Sequence, residues 1–209
     1  MKHLFSLFAG IFLLCGSAFS AEEAPDVMVK RVTDEVLTIV RADKDIQSGN
    51  SKKAIDLVET KVLPHFNFHR MTALAVGRDW SKATPEQKKR LAKEFETLLV
   101  RTYSNALTAY KSQTVVYKPL RMQPGDTDVM VRTEIRQPGQ QAVQLDYGVE
   151  KGDSGWKVYD VVVAGISLVT NYRETFAQEV RSGGIDGLIA TIAAKNKQIE
   201  AARAEKKQG

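Results

Sequence analysis

The run from Trp156 to Ala164, closed by Gly165, constrains the fold of this chain more than any other stretch. Its β-branched and aromatic residues are dense, and both alternating sets of positions are largely apolar, as in a strand covered on both faces. From Ser167 the period changes. Leu168, Tyr172, Phe176 and Val180 recur at four-residue intervals beside Thr170, Arg173, Glu174 and Glu179, which predicts an amphipathic helix from Ser167 to Arg181. A doubly covered strand that feeds straight into a helix requires packing material on each side of a sheet, and the remainder of the chain has to supply it.

Helices come first. Apolar residues at Val29, Val32, Val36, Ile39 and Val40 put one stripe on a helix between Asp26 and Ile46, which Ser48-Gly49-Asn50 ends. Ser51 is a candidate N-cap for a second helix carrying Ile55, Val58 and Val62, and Pro64 closes it by pushing the preceding residue out of helical geometry. The segment from His65 to Gly77 predicts a third helix that stops at the glycine. Thr84-Pro85-Glu86-Gln87 is the clearest start signal, with a threonine cap, a proline at the first helical position and a glutamine that completes a capping box. The helix it opens should reach Tyr110, bury Leu91, Phe95, Leu98, Leu99, Ala106 and Leu107, and lie across the sheet.

Strands follow as four runs, Thr114 to Met122, Asp128 to Arg136, Ala142 to Lys151, and Trp156 to Ala164. Short links rich in Pro, Gly and Asp join them, so they should form an antiparallel meander. Val129, Val131 and Ile135 share one face of the second strand, and Val143, Leu145, Tyr147 and Val149 share one face of the third. After the Ser167–Arg181 helix, Ser182-Gly183-Gly184 turns into a last helix with Ile185, Leu188, Ile189, Ile192 and Ile199, and beyond Ile199 a frayed tail is expected. The fold class is α+β: helices, a four-stranded antiparallel sheet, then two helices that wrap back.

Residues 1–20 read as a secretory signal, with Lys2 and His3, an apolar core from Leu4 to Leu14, and small residues ending at Ser20, where cleavage is expected. The apolar core is too short to span a bilayer, and no later segment offers about 20 uninterrupted apolar residues. Leu14 before Cys15 lacks the small side chain that lipoprotein signals place there, so a soluble, exported chain of residues 21–209 is expected as one domain. Of 30 Lys and Arg and 25 Asp and Glu, only Lys2 is removed with the signal, which leaves a net charge of +4 and no cysteine. No disulfide can form, and the basic residues are interspersed with acids. The balance suits weak attraction to anionic surfaces, phospholipid headgroups among them, and gives no support to nucleic-acid binding.

Chemistry-bearing patterns are sparse. His65 and His69 stand four residues apart, a spacing that can place two imidazoles on one metal, but no cysteine, third mature histidine or tight carboxylate cluster adds ligands, and no metal or other cofactor is expected. Asp160 lies in an apolar strand, where a raised pKa and a base role are conceivable beside the plainer role of a hydrogen-bonded carboxylate. Ser167 follows Gly165 but Val169 breaks the Gly-x-Ser-x-Gly pattern, so a capping role suits it. What the chain has in quantity is apolar surface.

Several stretches together resemble the MlaC or toluene-tolerance Ttg2 family of periplasmic phospholipid-binding proteins. They are Pro64-His65-Phe66-Asn67-Phe68 with Ala75-Val76-Gly77-Arg78-Asp79-Trp80; Ala83-Thr84-Pro85-Glu86-Gln87 with Phe95, Leu98, Leu99 and Tyr103; Trp156-Lys157-Val158-Tyr159-Asp160-Val161 with Gly165-Ile166-Ser167-Leu168-Val169, Tyr172 and Phe176; and Gly184-Ile185-Asp186-Gly187-Leu188. Where many relatives have an acid in the middle of Phe-x-Phe, this chain has Asn67. The resemblance implies an NTF2-like cone in which helices and a curved sheet enclose an apolar cavity. It implies a monomeric periplasmic shuttle, without enzymatic activity, that carries phospholipid between an outer-membrane lipoprotein complex and the substrate-binding ring of an inner-membrane ABC transporter. The alternatives are an enzyme of the same fold with Asp160 as base, and a purely structural adaptor.

With that resemblance, the apolar stripes name the lipid-binding candidates. They are Phe66, Met71 and Leu74 from the segment before Gly77; Phe95, Leu98, Leu99, Tyr103 and Leu107 from the long helix; Val129, Val131, Leu145, Tyr147 and Val149 from the sheet; and Val163, Ile166, Val169, Tyr172 and Phe176 from the late segment.

Overall fold

The computed structural model describes residues 23–205, and the expected export signal lies outside them. Helix α1 (Pro25–Ala42) buries Met28, Val29, Val32, Val36, Leu37 and Val40. It does not run unbroken to Ile46. Asp43 leaves helical geometry, and its carboxylate accepts the N–H groups of Asp45 at 2.9 Å and Ile46 at 3.2 Å, which starts the one-turn α2 (Lys44–Gln47). The cap of α3 (Ser51–Leu57) is Asn50 rather than Ser51, with Lys53 N–H donating to Asn50 Oδ1 at 3.2 Å. This helix widens into a π-turn over Val58–Val62 and tightens into a 3₁₀ turn over Leu63–His65, where Pro64 ends it.

Helix α4 (Phe68–Val76) begins later than the sequence pattern suggested, because Asn67 Oδ1 takes the N–H of Arg70 at 3.0 Å and fixes the cap there. It stops at Gly77, whose φ of 65° favours glycine. A 3₁₀ segment, Gly77–Lys82, leads to α5 (Pro85–Tyr103), and the Thr84–Gln87 capping box forms in both directions. The helix falls short of Tyr110. Ser104 Oγ bonds back to the Val100 carbonyl, a contact that bends helices, and the chain resumes as α6 (Asn105–Thr108).

Strands β1 (Thr114–Tyr117), β2 (Asp128–Arg136), β3 (Val143–Gly152), β4 (Gly155–Val163) and β5 (Ile166–Ser167) form one antiparallel sheet in chain order. Five strands stand where four were expected. Ala164 (φ 50°) and Gly165 (φ 84°) make a tight turn that returns Ile166 against Val163 and Ser167 against Val162. The helix expected from Ser167 therefore starts later, as a 3₁₀ turn over Thr170–Tyr172 and then α7 (Arg173–Glu205). Ser167 still caps the turn, with the N–H groups of Val169 and Thr170 donating to its Oγ at 3.2 and 2.9 Å. Strand β1 ends before Met122: Lys118 N–H reaches Arg132 O at 2.9 Å, and then Pro119 has no N–H to continue the ladder. Gly184, at φ 66° and ψ −169°, is non-helical and breaks α7 into two helices, as the Ser182-Gly183-Gly184 turn indicates. Rather than fraying after Ile199 the second remains helical to Glu205, held by Arg101, which donates to Asn196 O at 2.7 Å and pairs with Glu200 at 3.1 Å.

A β-bulge explains the opening sequence feature. Val149 pairs with Val158 but Gly148 pairs with Asp160, so Tyr159 is an extra residue in β4. The alternation changes phase there. Val158 before the bulge and Val161 and Val163 after it all lie on the face of Val149, Tyr147 and Leu145. Both alternating sets of β4 read as apolar because each supplies one half of a single apolar face.

Of three buried clusters among the described residues, the smallest joins α1 to α2 and α3 through Val36, Val40, Ile46 and Leu57, and the other two are the main cores. Helices α4, α5 and α7 bury Met71, Phe95, Leu98, Val169, Phe176 and Leu188, with Phe95 meeting Tyr172 and Phe176 edge-on at 5.2 and 5.3 Å. On the sheet, α1 packs Met28, Val29 and Val32 against Val129, Val131, Val149, Trp156 and Val158. Phe66 touches both cores. Among the described residues no helix is long and apolar enough to cross a membrane.

Candidate functional site

The packing of α1 against the sheet is incomplete. It fills one end of the sheet and leaves a cavity of about 430 Å³ at the other. Val115, Ile135, Leu145, Tyr147 and Val158 line it from the sheet, Val32, Val36 and Leu37 from α1, and Ala106, Leu107, Ala109 and Tyr110 from the chain after the α5 break. A second cavity of about 240 Å³ lies among the π-turn residues Val58 and Val62, Met71 of α4, Leu99 and Tyr103 of α5, and Val161 and Leu168. Val62, Phe66 and Leu107 line both. Together the two volumes lie within the range of roughly 300–1,000 Å³ usual for small-molecule sites.

Neither wall carries an Asp, Glu, Lys or Arg. The polar side chains on them are Thr33, His65, Tyr110, Gln113 and Tyr147 in the larger cavity and Tyr103 and Ser104 in the smaller. Burial pushes the Tyr147 hydroxyl up to about 12, so it stays neutral. Burial also lowers the pKa of His65, and the positive charges of Arg31 and Lys157 add to the effect against the opposing pull of Glu23 and Glu35. At neutral pH the walls are therefore uncharged, which suits a long apolar ligand.

The position of Phe66 follows from local chemistry. Its backbone makes a parallel bridge to Val158 of β4, with Asn67 N–H donating to Val158 O at 2.8 Å. Asn67 Nδ2 then reaches Glu150 Oε1 at 2.7 Å, and Arg70 pairs with Glu150 and Asp128 across β3 and β2. The Arg70 guanidinium lies 3.7 Å from the Tyr159 ring centroid, and the Tyr159 hydroxyl donates to Asp128 at 2.7 Å. This network ties the start of α4 to the sheet.

Of the residues expected to hold lipid, Phe66 and Leu107 line both cavities, Met71, Leu99 and Tyr103 line the smaller, and Leu145 and Tyr147 line the larger. The others lie off both walls. Leu74, Phe95, Leu98, Val169, Tyr172 and Phe176 belong to the helical core, and Val129, Val131 and Val149 pack under α1. Val163 is half-buried beside the β4–β5 turn, and Ile166 is 61 % exposed at the turn itself. The sequence reading missed the α1 stripe and the π-turn valines as walls. Thr33 amid Val29, Val32 and Val36 was the available signal for α1, since a polar side chain inside an apolar stripe suits a cavity better than a packed core.

The two histidines and Asp160 have separate surroundings. His65 lines the larger cavity, whereas His69 packs edge-on against Trp80 at 5.0 Å, and the α4 cap at Asn67 separates the two in the chain. Asp160 lies on neither wall, and its Oδ1 accepts the N–H of Val161 at 2.8 Å. Burial raises its pKa, while hydrogen bonds from Ser167 and from the backbone of Val161 and Val169 oppose the rise.

Paired apolar cavities on a helix-and-sheet scaffold are what a lipid-binding family would show, and the model of the MlaC protein family matches residues 30–194. The chain belongs to the MlaC family. It is 25 % identical over 184 residues to the intermembrane phospholipid transport system binding protein MlaC of Haemophilus influenzae, covering 87 % of this chain and 86 % of that one. It is 27 % identical over 167 residues to toluene tolerance protein ttg2D of Pseudomonas putida, covering 79 % and 77 %. Among solved structures, a phospholipid-binding protein from Ralstonia solanacearum in complex with a phospholipid superposes with a TM-score of 0.78 at 41 % identity, over 84 % of this chain and 98 % of that one. The family match reaches from α1 into α7 and so includes nearly all the wall residues.

Proposed function

We propose that this chain is a phospholipid carrier that works between two membranes in the pathway maintaining lipid asymmetry. The observation that carries the reading is the pair of adjoining apolar cavities with uncharged walls, in a chain 41 % identical to a protein solved in complex with a phospholipid. The physics defines the task. Each buried CH₂ is worth about 0.8 kcal/mol, so two acyl chains of roughly 30 carbons would cost on the order of 20 kcal/mol to expose to water. A cavity that matches the membrane interior lets exchange run near balance.

On this reading residues 1–20 export the chain and residues 21–209 act in the periplasm as a monomeric domain. The carrier receives and delivers phospholipid at an outer-membrane lipoprotein complex and at the substrate-binding ring of an inner-membrane ABC transporter. Carriage requires no catalytic group. The hydrogen bonds of Asp160 with Val161, Ser167 and Val169 favour a structural role for it over that of a base.

Transfer of a fluorescent phosphatidylethanolamine from donor to acceptor vesicles tests the reading. Purified protein should accelerate transfer in proportion to its concentration. An Asp160→Asn variant should transfer as well as the parent. No acceleration by the parent protein would refute the carrier role, and loss of transfer in a well-folded Asp160→Asn variant would favour chemistry at that carboxylate.

A further inference from the structure

The two cavities adjoin through Val62, Phe66 and Leu107, and of these three residues Phe66 is the one bridged to the sheet. Its backbone is fixed on both sides, with its own N–H on Leu63 O at 3.0 Å and the next N–H on Val158 O at 2.8 Å. Its ring stacks on Phe68 with centroids 5.9 Å apart. The Asn67 and Arg70 bonds to Glu150 keep the following turn from moving away from the sheet. Phe66 therefore stands on both walls with its backbone held and its ring stacked on Phe68.

We propose that Phe66 is a septum dividing the lipid site into two unequal chambers, each of which takes one acyl chain, so that the site selects two-chain phospholipids over single-chain ones. The inference rests on the carrier reading above and goes beyond it by naming the selecting residue. The smaller chamber, about 240 Å³ against about 430 Å³, restricts the chain it accepts more tightly. Chain-length selectivity is therefore set mainly at the smaller chamber. Val58 lines only that chamber, which makes it the place to close one compartment and leave the other open.

The experiment offers delipidated mature protein an equimolar mixture of dioleoyl phosphatidylethanolamine and its single-chain lyso form, with bound species read by native mass spectrometry and folding checked by circular dichroism. The parent protein should take the two-chain lipid. Val58→Trp, which fills the smaller chamber, should shift the ratio toward the lyso form by at least about tenfold, equivalent to about 1.4 kcal/mol. Phe66→Ala, which joins the chambers, should flatten selectivity among two-chain phosphatidylethanolamines of different chain lengths. A folded Val58→Trp protein with the parent's preference overturns the two-chamber assignment. Unchanged length selectivity in Phe66→Ala overturns the septum whether or not Val58→Trp folds. A parent protein that takes neither lipid defeats the carrier reading itself, and the septum with it.

Discussion

The Tyr159 ring lies so close over Gly148 that a Cβ at residue 148 would sit 2.9 Å from Tyr159 Cζ. The contact arises at the bulge, where Tyr159 is the extra residue of β4 and Gly148 pairs with Asp160. The ring cannot readily retreat, because Arg70 covers it and its hydroxyl is bound to Asp128. Gly148→Ala should therefore destabilise the protein by about 1–3 kcal/mol despite the better strand propensity of alanine, as overpacking does. Chemical denaturation of the two proteins measures it, and an unchanged or raised midpoint would show that the ring is free to move.

Phe95 tests the boundary between core and cavity. It is fully buried and packed edge-on against Tyr172 and Phe176, although its place on the α5 stripe made it a lipid-binding candidate. Phe95→Ala should cost about 3–5 kcal/mol in lipid-free protein. A small loss in lipid-free protein combined with a large loss of bound lipid would move Phe95 to the cavity wall.

His65 should make stability fall in acid. Its folded pKa lies below the ordinary value of 6.5, chiefly through burial, so the unfolded chain binds a proton that the folded chain resists. Its contribution is complete above pH 6.5 and is lost as pH falls from 6.5 through the lower folded value. Arg31 and Lys157 oppose protonation, and Glu23 and Glu35 favour it. His65→Gln should remove this part of the pH dependence, which melting temperatures of lipid-free protein between neutral pH and pH 5 would reveal. Parallel curves for the two proteins would show that His65 is freely solvated.

The framework was readable wherever a local rule had no competitor. The Thr84–Gln87 capping box and the bounds of Asp128–Arg136 appear as the sequence indicates because a cap and a regular alternation depend on near neighbours. Element ends shifted where one side chain offered a rival bond, as at Asp43, Asn67 and Ser104. The cavity was legible only as a face. Val129, Val131, Leu145, Tyr147 and Val149 do share that face, but α1 covers the end bearing Val129, Val131 and Val149 and leaves the Leu145 end open. Residue spacing fixes which face a side chain takes and carries no information on how far along the strand a helix will pack.

In the proposed carrier, lipid occupies the space bounded by Val62, Phe66 and Leu107, and Leu107→Glu tests that placement most directly. Leu107 is half-buried on both walls, so a carboxylate there can be hydrated once the cavity is empty, while burying it against acyl chains would cost several kcal/mol. Native mass spectrometry of the purified parent should show a mass increment equal to one phospholipid. The Leu107→Glu protein should be folded and lack that increment. A parent protein without bound phospholipid, or a folded Leu107→Glu protein that retains its full complement, would contradict the account.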